Sequence, residues 1–359
     1  MNRRHFLDPR YLAQAAGQML GALDDLQEPA NLAAQQEVAL LRASHPAMAT
    51  TFEVELLYGT PNALAAANAA FAEIDGLEQQ LTVYRDSSEV SRLNRLAAST
   101  VVPVEESLFR LLALAAQITQ ETEGAFDITA GALIKAWGFY RGPRRVPSDE
   151  ERAEALCRVG MRHLVLDAEA RTVRYLRPDV EINLGSIGKG YALDRVAQLL
   201  RDSFGLTTAL LHGGHSSVYA MGNGPTDGRG WAVGIRHPWE PDHRLAIVRL
   251  RDRALGTSAA TFQHLEYNGR KLGHHLDPRT GWPAEEMALA SVVAPTAAEA
   301  DALATAFYIL GVEKARAYCE NHPGIGAILL PQGECAQLVV LGLAPHEISV
   351  LYEPNLTRL

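Results

Sequence analysis

Strand-like and helix-like runs interleave along this chain, but never as the regular β-α-β series that a parallel sheet requires. Residues 48–57 (MATTFEVELL) carry Phe52, Val54 and Leu56 at period two and predict a strand. Residues 61–81 come next, with Leu64, Phe71, Ile74, Leu77 and Leu81 near helical spacing. An Asp-Ser-Ser-Glu stretch at 86–89 suits the cap of a short helix. Residues 106–124 predict a further helix with Gly124 as its stop. Residues 162–185 read as strands around a turn, and 186–205 as a glycine-containing turn that opens into a helix. Short strand-like runs occupy 207–222, 231–238 and 245–258. Residues 288–311 predict a strand and then a helix, with Pro295 between them and Gly311 after. The tail holds three more strand-like runs. There is no internal repeat and no low-complexity tract. The pattern favours an α+β fold, one large mixed domain around a continuous core.

The totals are compatible with such a domain. The chain has 359 residues, 47% hydrophobic and 21% charged, as in ordinary globular proteins. Its formal net charge of -9 argues against a general nucleic-acid binder, which presents a basic face. Cys157, Cys319 and Cys335 lack Cys-x-x-Cys spacing and read as buried small apolar residues. The start, MNRRHFL, has the paired Arg3 and Arg4 of a twin-arginine export signal. Asp8, Arg10, Asp24 and Asp25 interrupt the next segment, so no apolar h-region forms and a cytoplasmic location is favoured over export. No run is long and apolar enough to span a membrane.

Several segments carry candidate chemistry. In INLGSIGKGYALDR (182–195), glycines surround Lys189 before a helix begins. Glycine lets a ligand approach the backbone, and a helix N-terminus attracts phosphate; a tight turn with a solvated lysine fits the same residues. In EADALATAF (299–307), Asp301 and Thr305 lie four apart on one helix face. They are hard oxygen ligands suited to Mg²⁺; equally, Asp301 suits the first turn of a helix and Thr305 a back-bonding position. GAFDITAGALIKAWGF (124–139) sets aromatics near Asp127, either to grip a planar ligand or as core. His212 and His215 flank a glycine pair without a third metal ligand at recognisable spacing. GHHLDPRTGWP (273–283) leads two histidines into turn dipeptides and predicts an exposed functional loop.

Taken in order, these segments resemble the ApbE-type FAD:protein FMN transferase family. MATTFEVEL resembles its Met-Gly-Thr-Thr strand, and YRDSSEVSRLN its Tyr-x-x-Asp-Ser-Glu-x-Ser-x-x-Asn block. GAFDITAGALIKAWGF, NLGSIGKGYALD, HHLDPRTGWP and ADALATAFYILG are similar to four further family blocks. The resemblance covers roughly residues 45–330. It implies an ApbE-like, T-fold-like domain there, a partly helical extension over 1–44, and strands over 331–359 that close the domain.

The resemblance also implies a reaction: FAD is cleaved at its pyrophosphate with Mg²⁺, and FMN is attached to a Thr or Ser of a target flavoprotein. By the same resemblance Met48, Tyr84, Ala125, Phe126, Asp127, Asn183, Lys189 and His275 are expected at the FAD. Asp301, Thr305 and the backbone carbonyl of Ser186 are expected at the metal. His274 is expected to aid proton transfer, with Asp277 and Arg279 fixing the loop or the phosphates. Three departures weaken the match: Asn183 stands where the family has Asp, His215 replaces an Asp or Asn, and Ala260 lacks a carboxylate. An FAD pyrophosphatase, or a flavin-binding protein without turnover, is therefore the alternative expectation.

Overall fold

The computed structural model describes residues 39–359, apart from 141–142, 226–227, 241, 260–263, 268–269, 334–335, 352–355 and 359. Its centre is a sheet of nine described strands in the order β1 (Leu40–Ala47), β2 (Thr50–Leu57), β6 (Ala209–Gly213), β7 (Ser217–Met221), β10 (Arg253–Ala259), β13 (Met287–Ala294), β14 (Gly326–Pro331), β15 (Leu338–Leu341) and β17 (Leu356–Arg358). Neighbours run antiparallel except β15 and β17. A second sheet joins β8 (Trp231–Arg236), β9 (Arg244–Leu250) and β16 (Ile348–Val350). A third joins β3 (Val102–Pro103), β4 (Leu164–Asp167) and β5 (Thr172–Tyr175), and β11 (His264–Tyr267) forms a hairpin with β12 (Arg270–Gly273).

Helices pack on one face of the main sheet, the first, sixth and seventh directly against strands and the second and third against other helices. They are α1 (Ala63–Leu81), α2 (Glu89–Leu96), α3 (Glu106–Glu121), α6 (Gly188–Phe204) and α7 (Ala297–Asn321); the short α4 (Gly131–Ala136) and α5 (Asp149–Leu156) pack together to one side. The other face carries Leu210, Val218 and Val293, which pack with Trp231, Val233 and Val248 of the second sheet. This double covering explains β13, in which all eight residues are buried. A strand covered on both faces reads as a continuous apolar run instead of an alternating one.

Local signals positioned most elements. Ser88 caps α2 by accepting the N–H of Ser91, and Ser148 and Glu151 form a full capping box on α5. Gly205 ends α6 in the left-handed region. Four sequence expectations need correction. Met48 and Ala49 are not strand but the two-residue β1–β2 turn, both at positive φ (48° and 59°), the type I′ pattern that suits strand twist. Residues 40–44, read as extension, form most of the edge strand β1. Helix α7 does not stop at Gly311; that residue (φ 76°, ψ -177°) kinks it, and helix resumes to Asn321. Cys157 is exposed, because it falls at the C-cap of α5, whereas Cys319 is buried. Cys335, Ala260 and the twin-arginine-like start lie outside the described residues. Among the described residues, no helix is long and apolar enough to cross a membrane.

Candidate active site

Lys189, His274, His275, Asp301 and Thr305 gather where strand ends of the main sheet meet two helix N-termini. Asn94 pins the approach: its side chain donates to Ile182 O (3.0 Å) and accepts from Ile182 N (2.8 Å), as a neighbouring strand would. Asn183 Oδ1 then accepts the N–H of Gly185 at 2.9 Å, closing an Asx turn before α6. An aspartate at that position offers the same acceptor, so the exchange to Asn183 leaves the loop's geometry intact.

Helix α7 approaches α6 closely enough that a β-carbon on Gly190 would lie 2.0 Å from Ala297 O. A β-carbon on Gly256 of β10 would lie 2.4 Å from Ala300 O. These two contacts bring Asp301 against both elements. Its Oδ2 accepts Gly190 N at 2.8 Å, and Ser217 Oγ lies 2.7 and 2.9 Å from its two oxygens. Asp301 is 6% exposed and forms no ion pair among the described residues. Burial raises its pKa, while the charge of Lys189 acts in the opposite direction.

One turn further, Thr305 Oγ1 donates to Asp301 O (3.2 Å) and lies 3.4 Å from Ser258 Oγ. The back-bonding and shared-face readings of Thr305 thus describe the same side chain. Ser186 is half-buried in the loop before α6. Lys189, in the first turn of α6, places its stem near Gly213 and its charge within reach of Asp301 and His275. A buried carboxylate hydrogen-bonded to neutral donors, with hydroxyls one turn away, is a set that fits a hard divalent cation.

The 273–283 loop is less exposed than expected. Leu276 pairs with Pro283, and Trp137 Nε1 donates to Gly281 O at 2.9 Å. Asp277 accepts from Arg279 Nε and Nη2, both at 2.8 Å, a bidentate pair that closes the turn on itself. The ring of His274 lies 4.1 Å from that of His275, which lies 4.5 Å from that of Tyr308 on α7. Burial, His274 and Lys189 hold the His275 imidazole well below its ordinary pKa.

Other expected contacts separate. Tyr84 is 53% exposed and stacks parallel on Tyr140 at 4.8 Å. Met48 packs partly against the core at the β1–β2 turn, and Thr51 O on the following strand accepts the N–H of Gly214. Ala125 and Phe126 are buried at 0% and 1% exposure, and Phe126 packs into the helix-side core. Asp127 is turned inward as well: it accepts from Thr129 N, Thr129 Oγ1 and Met161 N, and burial raises its pKa. His215 is exposed, and burial lowers the pKa of His212 to about 4.

Sequence reasoning missed Ser217, Ser258, Asp194 and Tyr308. Tyr308 was legible, since it stands at i+7 from Asp301 on the same helix face. The two serines sit on different strands from each other and from Asp301, and nothing in their spacing joins them.

Fold and site together define an α+β protein whose polar groups gather where two helix N-termini meet the end of an antiparallel sheet. The chain belongs to the ApbE family, whose model matches residues 48–329. It is 30% identical over 302 residues to the FAD:protein FMN transferase of Haemophilus influenzae, covering 81% of this chain and 86% of that protein. It is 34% identical over 281 residues to the enzyme of the same name from Treponema pallidum, covering 73% and 77%. The solved apo structure of flavinyl transferase ApbE from Pseudomonas stutzeri superposes with a TM-score of 0.73 at 29% identity, covering 86% of this chain and 96% of that one.

Proposed function

We propose that the chain transfers FMN from FAD to a Thr or Ser hydroxyl of a target flavoprotein and releases AMP. Family membership supports the reaction, and one structural observation carries the reading to these residues: Lys189, Asp301 and the His274 loop converge at one end of the sheet. In the transfer, the hydroxyl oxygen forms a bond to the FMN phosphorus, the bond from that phosphorus to the bridging oxygen breaks, and AMP departs with that oxygen.

Asp301, Thr305 and the Ser186 carbonyl would hold Mg²⁺, which neutralises charge on the pyrophosphate oxygens when bound. Lys189 places a point charge at the first turn of α6, beside N–H groups that favour phosphate. His274 takes the proton of the attacking hydroxyl. The Asp277–Arg279 pair fixes the loop that carries His274. Asn183 supports the turn as an acceptor.

The test is incubation of the chain with FAD, Mg²⁺ and an acceptor flavoprotein, with intact-mass measurement of the products. An FMN adduct on the acceptor is expected. FMN and AMP accumulating with no adduct, whether or not an acceptor is present, overturns the transfer reading in favour of hydrolysis.

A further inference from the structure

The 273–283 loop folds back on itself as two short arms. Residues 274–277 form the outgoing arm, and the return arm is hydrogen-bonded to it: Asp277 N donates to Trp282 O and Ala284 N to His275 O, both at 2.8 Å. Leu276 and Pro283 form a bridge between the arms. Whatever holds the return arm therefore also holds the segment that carries His274.

Helices α4 and α5 grip that return arm. Trp137, fully buried at the C-cap of α4, donates Nε1–H to Gly281 O at 2.9 Å. Arg152, on α5, lays its stem against Gly281, where a β-carbon would lie 2.9 Å from Arg152 Cγ. Gly281 stands at φ 73°, so backbone conformation as well as space disfavours a side chain there. The Arg152 guanidinium lies 4.5 Å from the centre of the Trp282 ring, a cation–π contact, and that ring meets Trp137 edge-on at 5.5 Å. Asp149, one turn earlier on α5, steadies the guanidinium through a 2.7 Å ion pair. Neither Arg152 nor Asp149 lies in the segments that carry the family resemblance.

We propose that Arg152 is a positioning residue: from a helix away from the reacting groups it clamps Gly281 and Trp282, and so sets where His274 meets the attacking hydroxyl. The proposal rests on the reading of His274 above. A reacting group displaced by about 1 Å loses on the order of 10²-fold in rate. A clamp on its loop therefore governs the chemical step and leaves FAD binding alone.

The test is single-turnover release of AMP from FAD by the full chain, with Mg²⁺ and an acceptor flavoprotein, across a range of FAD concentrations. AMP reports cleavage under transfer and hydrolysis alike. Wild type is compared with Arg152→Met, which keeps the stem and removes the cation, with His274→Ala, and with the double variant. Arg152→Met is expected to lower the saturating rate about ten- to hundredfold, with the half-saturating FAD concentration unchanged within about twofold. In the His274→Ala background the same substitution is expected to cost less than about twofold, since the group it positions is gone. Should Arg152→Met not fold, Trp282→Leu cuts the same contact from the loop side and makes the same comparison. Equal losses in the two backgrounds overturn the positioning role and mark a general structural effect. A wild-type rate in Arg152→Met and Trp282→Leu overturns it as well. No AMP from wild type, or a wild-type rate in His274→Ala, overturns the reading of His274 and this proposal with it.

Discussion

Asp194 and Asp301 each close the N-terminus of the other's helix. Asp194, on α6, accepts the N–H groups of Ala297 and Ala298 at 2.7 and 2.9 Å, while Asp301, on α7, accepts that of Gly190 at 2.8 Å. Free N–H groups at a helix start need acceptors, and here two helices supply them reciprocally. The arrangement fixes the angle at which Asp301 meets Lys189 and Ser217.

This reciprocity has a pH signature. Burial raises the pKa of Asp194 to about 7 from its ordinary 3.8. A raised folded-state pKa means that the folded chain holds the proton more tightly than the unfolded one. The group's contribution is full below about pH 4 and is lost as pH rises through about 7. Asp194→Asn should therefore flatten the fall in stability between about pH 4 and 7, read as urea midpoints across that range. An unchanged slope contradicts the assignment.

The close contact of α6 and α7 permits no side chain at Gly190. Gly190→Ala should cost at least about 3 kcal/mol, since the obstacle is backbone that cannot yield. Thermal unfolding measures it, and a variant that melts with wild type refutes the packing.

Removing the buried carboxylate should abolish metal dependence. Asp301→Ala is expected to lower turnover on the order of 10³-fold, with the residual rate flat across a Mg²⁺ titration. A variant that keeps its rate and its Mg²⁺ response would remove Asp301 from the metal site.

The adjacent histidines should separate kinetically. His274→Ala is expected to lower the transfer rate constant about 10²–10⁴-fold, far more than His275→Ala. Single-turnover rates at saturating FAD distinguish them, and equal losses would sink the division of roles.

The Asp277–Arg279 pair acts within one turn. Arg279→Ala should cost about 1 kcal/mol of stability and lower activity through the loop. Activity restored by high FAD concentration alone would point instead to direct phosphate binding by Arg279.

Much of this molecule was determined by the sequence itself. Period-two and helical spacing placed β2, α1, α3 and α6, because burial of one face repeats with the geometry of each element. The Asp301–Thr305 face of α7 and the ordered blocks around Lys189 and His274 were legible for the same local reason, and family membership rested on their order. Only the tertiary structure decided that β13 is covered on both faces, that Met48 turns a hairpin, and that Phe126 is sealed in the core. It alone joined Ser217 to Asp301, Asp194 to the start of α7, and Tyr308 to His275. Those contacts link residues 84, 103 and 33 positions apart, by their numbers. They depend on how closely α7 can approach α6 and β10, which the absence of a β-carbon at Gly190 and Gly256 permits and local periodicity does not encode.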